Sequence, residues 1–567
     1  SISCIVPIFL KNLFFKNFYV ANILLSILIF ENLPFFLNRI NFFKDNSEIY
    51  LFLFFILIIQ IQKNKDNVYF ILPFLLISIF LNFFVSLFAI FYFLQKEKIA
   101  KQNHLIILFI TFGFYIFSYS GVIIQSLKLN IDNYVFFFTG LRSNYLSEPV
   151  YFGAIDNKGF FLFEIYKYLS KFASLLGIEQ WNYIFIGLCI FLIIFIYIFN
   201  KVSAIFENSL LIKLPLILLV MNDVLFDVDK TVRFGARLIG SLLILIGIYF
   251  IINKNLFVGS IFLTLSNFVL ISFIIPTLFI VLFLLFEDKK NLVFIKYLLI
   301  NLSVITLYLF LTNQLDYYFL VQIEFLLSAS SQGLNTNLFL RFMILYFLPF
   351  SLIFLSLKNN FLNDKEKFIS NIFLIWLSGE VFHLFLTNAR YSHYKNLLII
   401  PTVFVISIFF LNLKEIRFYG IKLVILVIIL NFLVSDNLPK HYQPHVNINS
   451  LNTFEKKEPV QEKDSKYGVY LTFSADDFSY YYDNYKIIPS TKAWVLVATD
   501  NDISSWVSGE EILEYFFQDY SYENPKYLII NNETYEDLNN LQLFSKLKDE
   551  FELIECYQET CLYNKLS

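Results

Sequence analysis

Asp132, Arg142, Asp156 and Lys158 lie between two apolar runs, and their types could do chemistry together. A carboxylate can take the proton from an attacking hydroxyl or amine when it lies within hydrogen-bond reach. A lysine or arginine can hold a phosphate whose charge grows as a bond to it breaks. Each type also has a plainer use. Asp is a favoured helix N-cap, and Lys and Arg snorkel to lipid headgroups. Further along, Arg390 and His393 share a short polar stretch, while Asp223, Asp227 and Asp229 cluster near a helix end. That trio could shape an acceptor site, bind a divalent metal, or simply be solvated. His441 and His445 flank Pro444, which spoils the helical i,i+4 pair a metal would use.

The elements that must position these residues are membrane helices. Of 567 residues, 58% are hydrophobic and only 16% charged, against about 25% charge in soluble chains. The apolar blocks are long enough to cross a bilayer, which takes about 20 helical residues. They place spans near 18–37, 48–62, 67–94, 104–124, 182–200, 210–226, 236–252, 256–270, 272–286, 292–312, 336–357, 368–387, 394–412 and 418–434. The block 256–286 divides around Ser272, with Pro276 supporting the break. Phe is the dominant apolar residue, a bias that an A- and T-rich genome would produce by itself. A net charge of −2 says nothing about partners. Position 1 is not Met, as after initiator removal or in a fragment, and Ser1–Leu10 lacks a signal-peptide cleavage pattern.

Orientation follows from Lys and Arg in short loops, which stay in the cytoplasm. Lys96, Lys98, Lys101, Lys201, Lys254, Lys289, Lys290, Lys358, Lys365, Lys367, Lys414 and Arg417 fall in alternate loops and belong inside. That register puts 125–181, 227–235, 313–335, 388–393 and everything after Ser435 outside. Lys128, Arg142, Lys158, Lys167, Lys171, Lys230, Arg233 and Arg390 then run against the rule. Binding an anionic phosphate at the outer surface would explain them, and so would pairing with carboxylates and headgroups.

Residues 125–181 are too long for a mere connection and too apolar for disorder. Tyr134, Phe137, Phe138 and Leu141, then Phe161, Ile165, Tyr168, Leu169 and Phe172, recur at helical spacing. Two amphipathic helices at the membrane interface are expected, over Asn130–Tyr145 and Asn157–Leu176. Beyond Val434, residues 435–466 read as a linker. Strands are expected at 467–473, 493–498 and 527–531, helices at 509–520 and 535–550, and a terminal hairpin at 551–564. These would form a small α/β domain, in which Cys556 and Cys561 could pair or stay as thiols. Cys4 and Cys189 sit in apolar sequence as small hydrophobes.

Several motifs carry a family resemblance. Asp132-Asn133-Tyr134, then Glu148-Pro149-Val150-Tyr151-Phe152 and Asp156-Asn157-Lys158-Gly159-Phe160, resemble the first external loop of GT-C membrane glycosyltransferases. Among these are the protein O-mannosyltransferases and the lipid A aminoarabinose transferases. Asn388-Ala389-Arg390-Tyr391-Ser392-His393-Tyr394, with Leu397, Leu398 and Pro401, is similar to a signature opening a late span, and Pro525–Ile530 to a strand of the tail domain. The likeness runs from residue 104 to the C-terminus. Asn133 replaces the family's usual Glu, Phe160 stands where Pro is common, and the first three spans have no counterpart.

The resemblance implies a polytopic α-helical membrane protein of about eleven core spans and about three more at its N-terminus (1–100), with the core at 101–434 and a small extracytoplasmic α/β domain at 467–567. It implies a bacterial plasma-membrane enzyme moving a sugar from a polyprenyl-phosphate donor to a lipid, glycan or protein acceptor. Asp132 would be the general base, with Asp156 a second catalytic candidate. Lys158, Arg390, His393 and Arg142 would contact the donor phosphate, and Asp227 and Asp229 the acceptor or a metal. No cofactor is required, although a divalent metal fits, and nucleic acid is not an expected partner. Two other readings are an O-antigen polymerase or ligase, which would use Arg and His of a large late loop, and a lipid or solute transporter. Few spans hold the mid-membrane charge a transporter uses, Lys296 and Glu380 being the exceptions.

Overall fold

The computed structural model describes residues 104–128, 131–146, 149–150, 159–176, 180–206, 235–288, 291–315, 363–386, 395–412, 467–471, 475–485, 487–489, 525–531, 550–558 and 560–566, with single positions in 213–224 and Tyr318. The membrane part contains α1 (His104–Lys128), α2 (Ile131–Leu146), α3 (Phe160–Leu176), α4 (Gln180–Ile205), α5 (Ala236–Ile252), α6 (Leu256–Val269), α7 (Ile274–Glu287), α8 (Leu292–Leu311), α9 (Asp364–Leu386) and α10 (Lys395–Asn412). Three stretches are long and apolar enough to cross a membrane: Ile184–Ile205, Leu292–Leu311 and Asp364–Phe385. Shorter apolar helices stand beside them at α5, α6 and Ile271–Glu287. This is the make-up of a helical membrane protein. The expected spans at 18–94, 336–357 and 418–434 lie outside the described residues.

The long apolar block breaks where Ser272 suggested. Leu270 is extended, a 3-10 turn covers Ile271–Phe273, and α7 restarts at Ile274. Pro276 falls in the first turn of α7, where its missing N–H has no helical partner to lose.

The helix ends sort by charge. Phe257 meets Tyr297 at 5.3 Å between ring centroids, Phe283 meets Phe368 at 5.6 Å, and Tyr197 meets Tyr249 at 6.4 Å. These contacts gather the helix ends that carry Lys201, Lys254, Lys365 and Lys367. The opposite ends carry α2 and α3.

After the linker, five strands form one sheet in the order β2-β1-β3-β5-β4. They are β1 (Tyr467–Leu471), β2 (Ile488–Pro489), β3 (Tyr527–Asn531), β4 (Phe551–Tyr557) and β5 (Thr560–Lys565). β1 runs parallel to β2 and β3, while β3, β5 and β4 are antiparallel. Cys556 and Cys561 face each other across the β4–β5 hairpin and form a disulfide. α11 (Ala475–Tyr485), not anticipated above, packs on the sheet. The Tyr481 hydroxyl donates to the Thr560 carbonyl at 2.5 Å and accepts from the Tyr557 N–H at 3.3 Å. Tyr481→Phe removes both bonds from a buried site, so thermal unfolding of the full chain should show a loss of about 1–3 kcal/mol. The positions expected at 493–498, 509–520 and 535–549 lie outside the described residues.

One expectation needs correction. α2 was read as one-sided, with an apolar face on the membrane surface. Every residue from Asn133 to Gly140 is buried instead. One side packs on α3, and the other is covered by the sheet domain. Tyr134 meets Phe478 at 5.6 Å, Phe138 meets Tyr470 at 5.6 Å and Tyr482 at 5.5 Å, and Phe137 meets Tyr482 at 5.6 Å. A helix with partners on two sides carries aromatic residues all round, and this blurs the pattern expected of a half-buried one.

Candidate functional site

The site is built around the parallel packing of α2 and α3. Phe136 lies against Phe163 and Tyr166, at 6.0 and 5.4 Å. A Cβ on Gly140 would come within 2.7 Å of the Tyr166 backbone, so the two helices touch there with no side chain between them. Asn144 donates to the Lys167 carbonyl at 2.7 Å and also meets Ser170. Partner numbers rise together along both helices. Leu146 and Gly159 therefore lie at opposite ends of the pair, and the start of α3 lies level with the start of α2. Extending the ladder back four residues from Phe136 sets Asp132 level with residues 159–162, the first turn of α3.

Asp132 is the second residue of α2, in the turn where a negative charge complements the helix dipole. The neighbouring Asn133 is buried and donates to the Leu127 carbonyl at 3.2 Å, occupying an end carbonyl of α1. At the position where the resembled family has Glu, this chain thus has a residue that joins two helices.

Gly159 is fixed from the other side. Its N–H donates to the Val269 carbonyl at 2.9 Å, and a Cβ there would lie 1.9 Å from the Phe268 carbonyl oxygen. Only glycine lets the chain enter α3 so close to the end of α6. Lys158 is the residue before this anchor. Phe160 then meets Phe268 at 5.6 Å and Tyr308 at 5.8 Å, and Phe268 meets Tyr318 at 5.4 Å. Beyond the α6–α7 break, the Phe273 ring lies 5.9 Å from His383 near the end of α9. The starts of α2 and α3, the α6–α7 break, the end of α8 and the end of α9 therefore collect on one side of the bundle.

Arg142 does not join them. It is buried in α2 ten residues after Asp132, which is about 15 Å along the axis. Asp156, Lys158, Asp223, Asp227, Asp229, Arg390 and His393 lie outside the described residues. The stretch with Arg390 and His393 connects the end of α9 to the start of α10. Among the described residues no group of three or more His, Cys, Asp or Glu side chains could hold a metal.

Glu380 stood out in the sequence as a mid-membrane charge, but its polar partners on α9 did not. The Trp376 indole N–H donates to Glu380 Oε1 at 2.9 Å, and Glu380 Oε2 lies 3.2 Å from His383 Nδ1. All three side chains are buried. Their i, i+4 and i+7 spacing on one helix was the available signal. Gly379 lets α7 approach, since a Cβ there would stand 2.7 Å from the Pro276 backbone. A carboxylate inside a membrane-length helix is costly unless satisfied, and such residues mark function more often than surface charges do.

The fold and site together define a helical membrane protein with a small mixed α/β domain seated on its α2 helix. Comparison of the chain with protein-family models, curated proteins and solved structures finds no match.

Proposed function

We propose that the protein is a membrane glycosyltransferase, moving a sugar from a polyprenyl-phosphate donor to an acceptor outside the cytoplasm of a bacterial cell. The observation that carries this reading is the level of Asp132 with the start of α3. Asp132, in the first turn of α2, and Gly159, which follows Lys158 in the chain, lie at one end of the bundle, away from the lysine-rich ends. The positive-inside rule makes that end the outer one. The disulfide of the tail domain agrees, because disulfides persist outside the cytoplasm.

In this reading Asp132 accepts the proton of the attacking hydroxyl or amine. The new bond to the anomeric carbon forms as the bond to phosphate breaks, and the electron pair stays on the phosphate. Lys158 offsets the growing charge, with Arg390 and His393 as further ligands. The chemistry needs no cofactor. The packing of the sheet domain over α2 supports a part for it in admitting the acceptor.

The test is transfer itself. Purified protein in vesicles, given radiolabelled polyprenyl-phosphate sugars and a cell-envelope extract, should move label off the carrier. Lys158→Ala should weaken donor binding by about tenfold or more, the worth of a charge-assisted hydrogen bond. Unchanged donor affinity would remove Lys158 from the site, and no transfer from any donor would end the reading.

A further inference from the structure

Glu164 stands on α3 one turn beyond the anchored Gly159, facing α8 rather than α2. Its Oε1 accepts from the Tyr308 hydroxyl at 3.3 Å. Tyr308 is its hydrogen-bond partner among the described residues, and the side chain is only partly buried. Burial pushes the Glu164 carboxyl above its usual range, while the Lys167 charge and the Tyr308 hydrogen bond pull it back. A partly exposed carboxyl with one oxygen held by the protein is a ready acceptor for a ligand's polar hydrogen.

The surface leading to it is apolar. Tyr168, Phe172 and Leu175 continue the Glu164 face of α3 at helical spacing, and all are well exposed. Leu307, Phe310 and Leu311 extend it across the end of α8. α8 is itself a membrane-length helix with only 11% of its span buried in the bundle, so this face belongs to lipid. The combined surface has a polar head at Glu164 and Tyr308 and an apolar run beside it, which matches an amphiphile. A water-soluble glycan or a folded protein has no use for the apolar run.

We propose that Glu164, steadied by Tyr308, holds the acceptor, and that the acceptor is a membrane lipid reaching the site laterally from the bilayer. This rests on the transfer reading. Glu164 accepts a headgroup hydrogen other than the one that reacts, while the acyl chain lies along Tyr168, Phe172 and Leu175. The reacting hydrogen goes to Asp132.

Two experiments on the full-length protein in vesicles test this. With radiolabelled polyprenyl-phosphate sugars and a lipid extract, wild type should place label in a lipid product. Glu164→Gln should raise the KM for the lipid acceptor by about tenfold or more, with kcat and donor affinity little changed and Glu164→Asp intermediate. Retained donor affinity also shows that the variant is folded. Label appearing instead in protein or in a water-soluble glycan overturns the lipid acceptor. An unchanged KM removes Glu164 from the site.

In the second experiment Tyr168→p-benzoylphenylalanine is irradiated, and the adduct should be a lipid bearing a hydroxyl or amine headgroup. A lipid adduct without transfer by wild type would refute the enzymatic reading alone. Peptide adducts only would refute the lipid surface.

Discussion

Asp132→Asn should leave the protein folded and able to bind donor while transfer falls by about 10²–10⁴-fold, the worth of a positioned general base. The change keeps the side chain's size and removes its capacity to take a proton. Its structural cost should be small, because a negative charge in a helix's first turn contributes only about 0.3–1 kcal/mol. The groups that hold α2 in place lie elsewhere. Asn133 bonds to the end of α1, and Tyr134, Phe137 and Phe138 bury themselves against the sheet domain. The measurement is kcat beside donor affinity and melting temperature. Wild-type turnover by the variant would show that Asp132 has no part in the chemistry, and a matching fall in melting temperature would mark it as a helix cap instead.

Glu380→Ala should be among the most destabilising single changes in the bundle, at about 2–5 kcal/mol, because it removes a buried hydrogen-bond acceptor and leaves a cavity. The Trp376 N–H and His383 Nδ1 would both lose the Glu380 oxygen they meet, at buried positions. Alanine also leaves a cavity at a fully buried position. Glu380→Gln keeps the volume and one acceptor and should cost clearly less. Unfolding midpoints in detergent would order the three proteins. Equal midpoints for wild type and Glu380→Ala would mean that the cluster adds nothing to stability.

The membrane helices were legible because their signal is coarse. Runs such as 236–252, 256–270 and 292–312 needed only length and apolarity, and the helices over Ala236–Ile252, Leu256–Val269 and Leu292–Leu311 follow them within a residue. Strand Tyr527–Asn531 was equally plain, opened by Pro525 and rich in β-branched residues. α11 was missed although Phe478, Tyr481, Tyr482 and Tyr485 have the i, i+3, i+4, i+7 pattern of a helix face. Four tyrosines in eleven residues argue weakly for helix by propensity, and packing against α2 and the sheet decided the matter.

The candidate site divides in the same way. Asp132 and Gly159 could be picked out as residue types, but no one-dimensional pattern says that α2 and α3 run parallel. That fact depends on the small side chain of Gly140 and on Asn144 reaching the Lys167 carbonyl. Glu164 was unremarkable as a letter, and Glu380 stood out only as a charge within a span. Their interest comes from which oxygen is occupied and what surrounds it, and only tertiary contacts supply that.

The aromatic seat of the sheet domain on α2 also settles a question of parity. Two segments in direct contact share a compartment, so an even number of bilayer crossings is expected between Leu146 and Tyr467. Any revision of the span assignment in that interval has to add or delete crossings in pairs. A reporter fused after residue 146 and another fused at the C-terminus should therefore give matching signals, whichever compartment that proves to be.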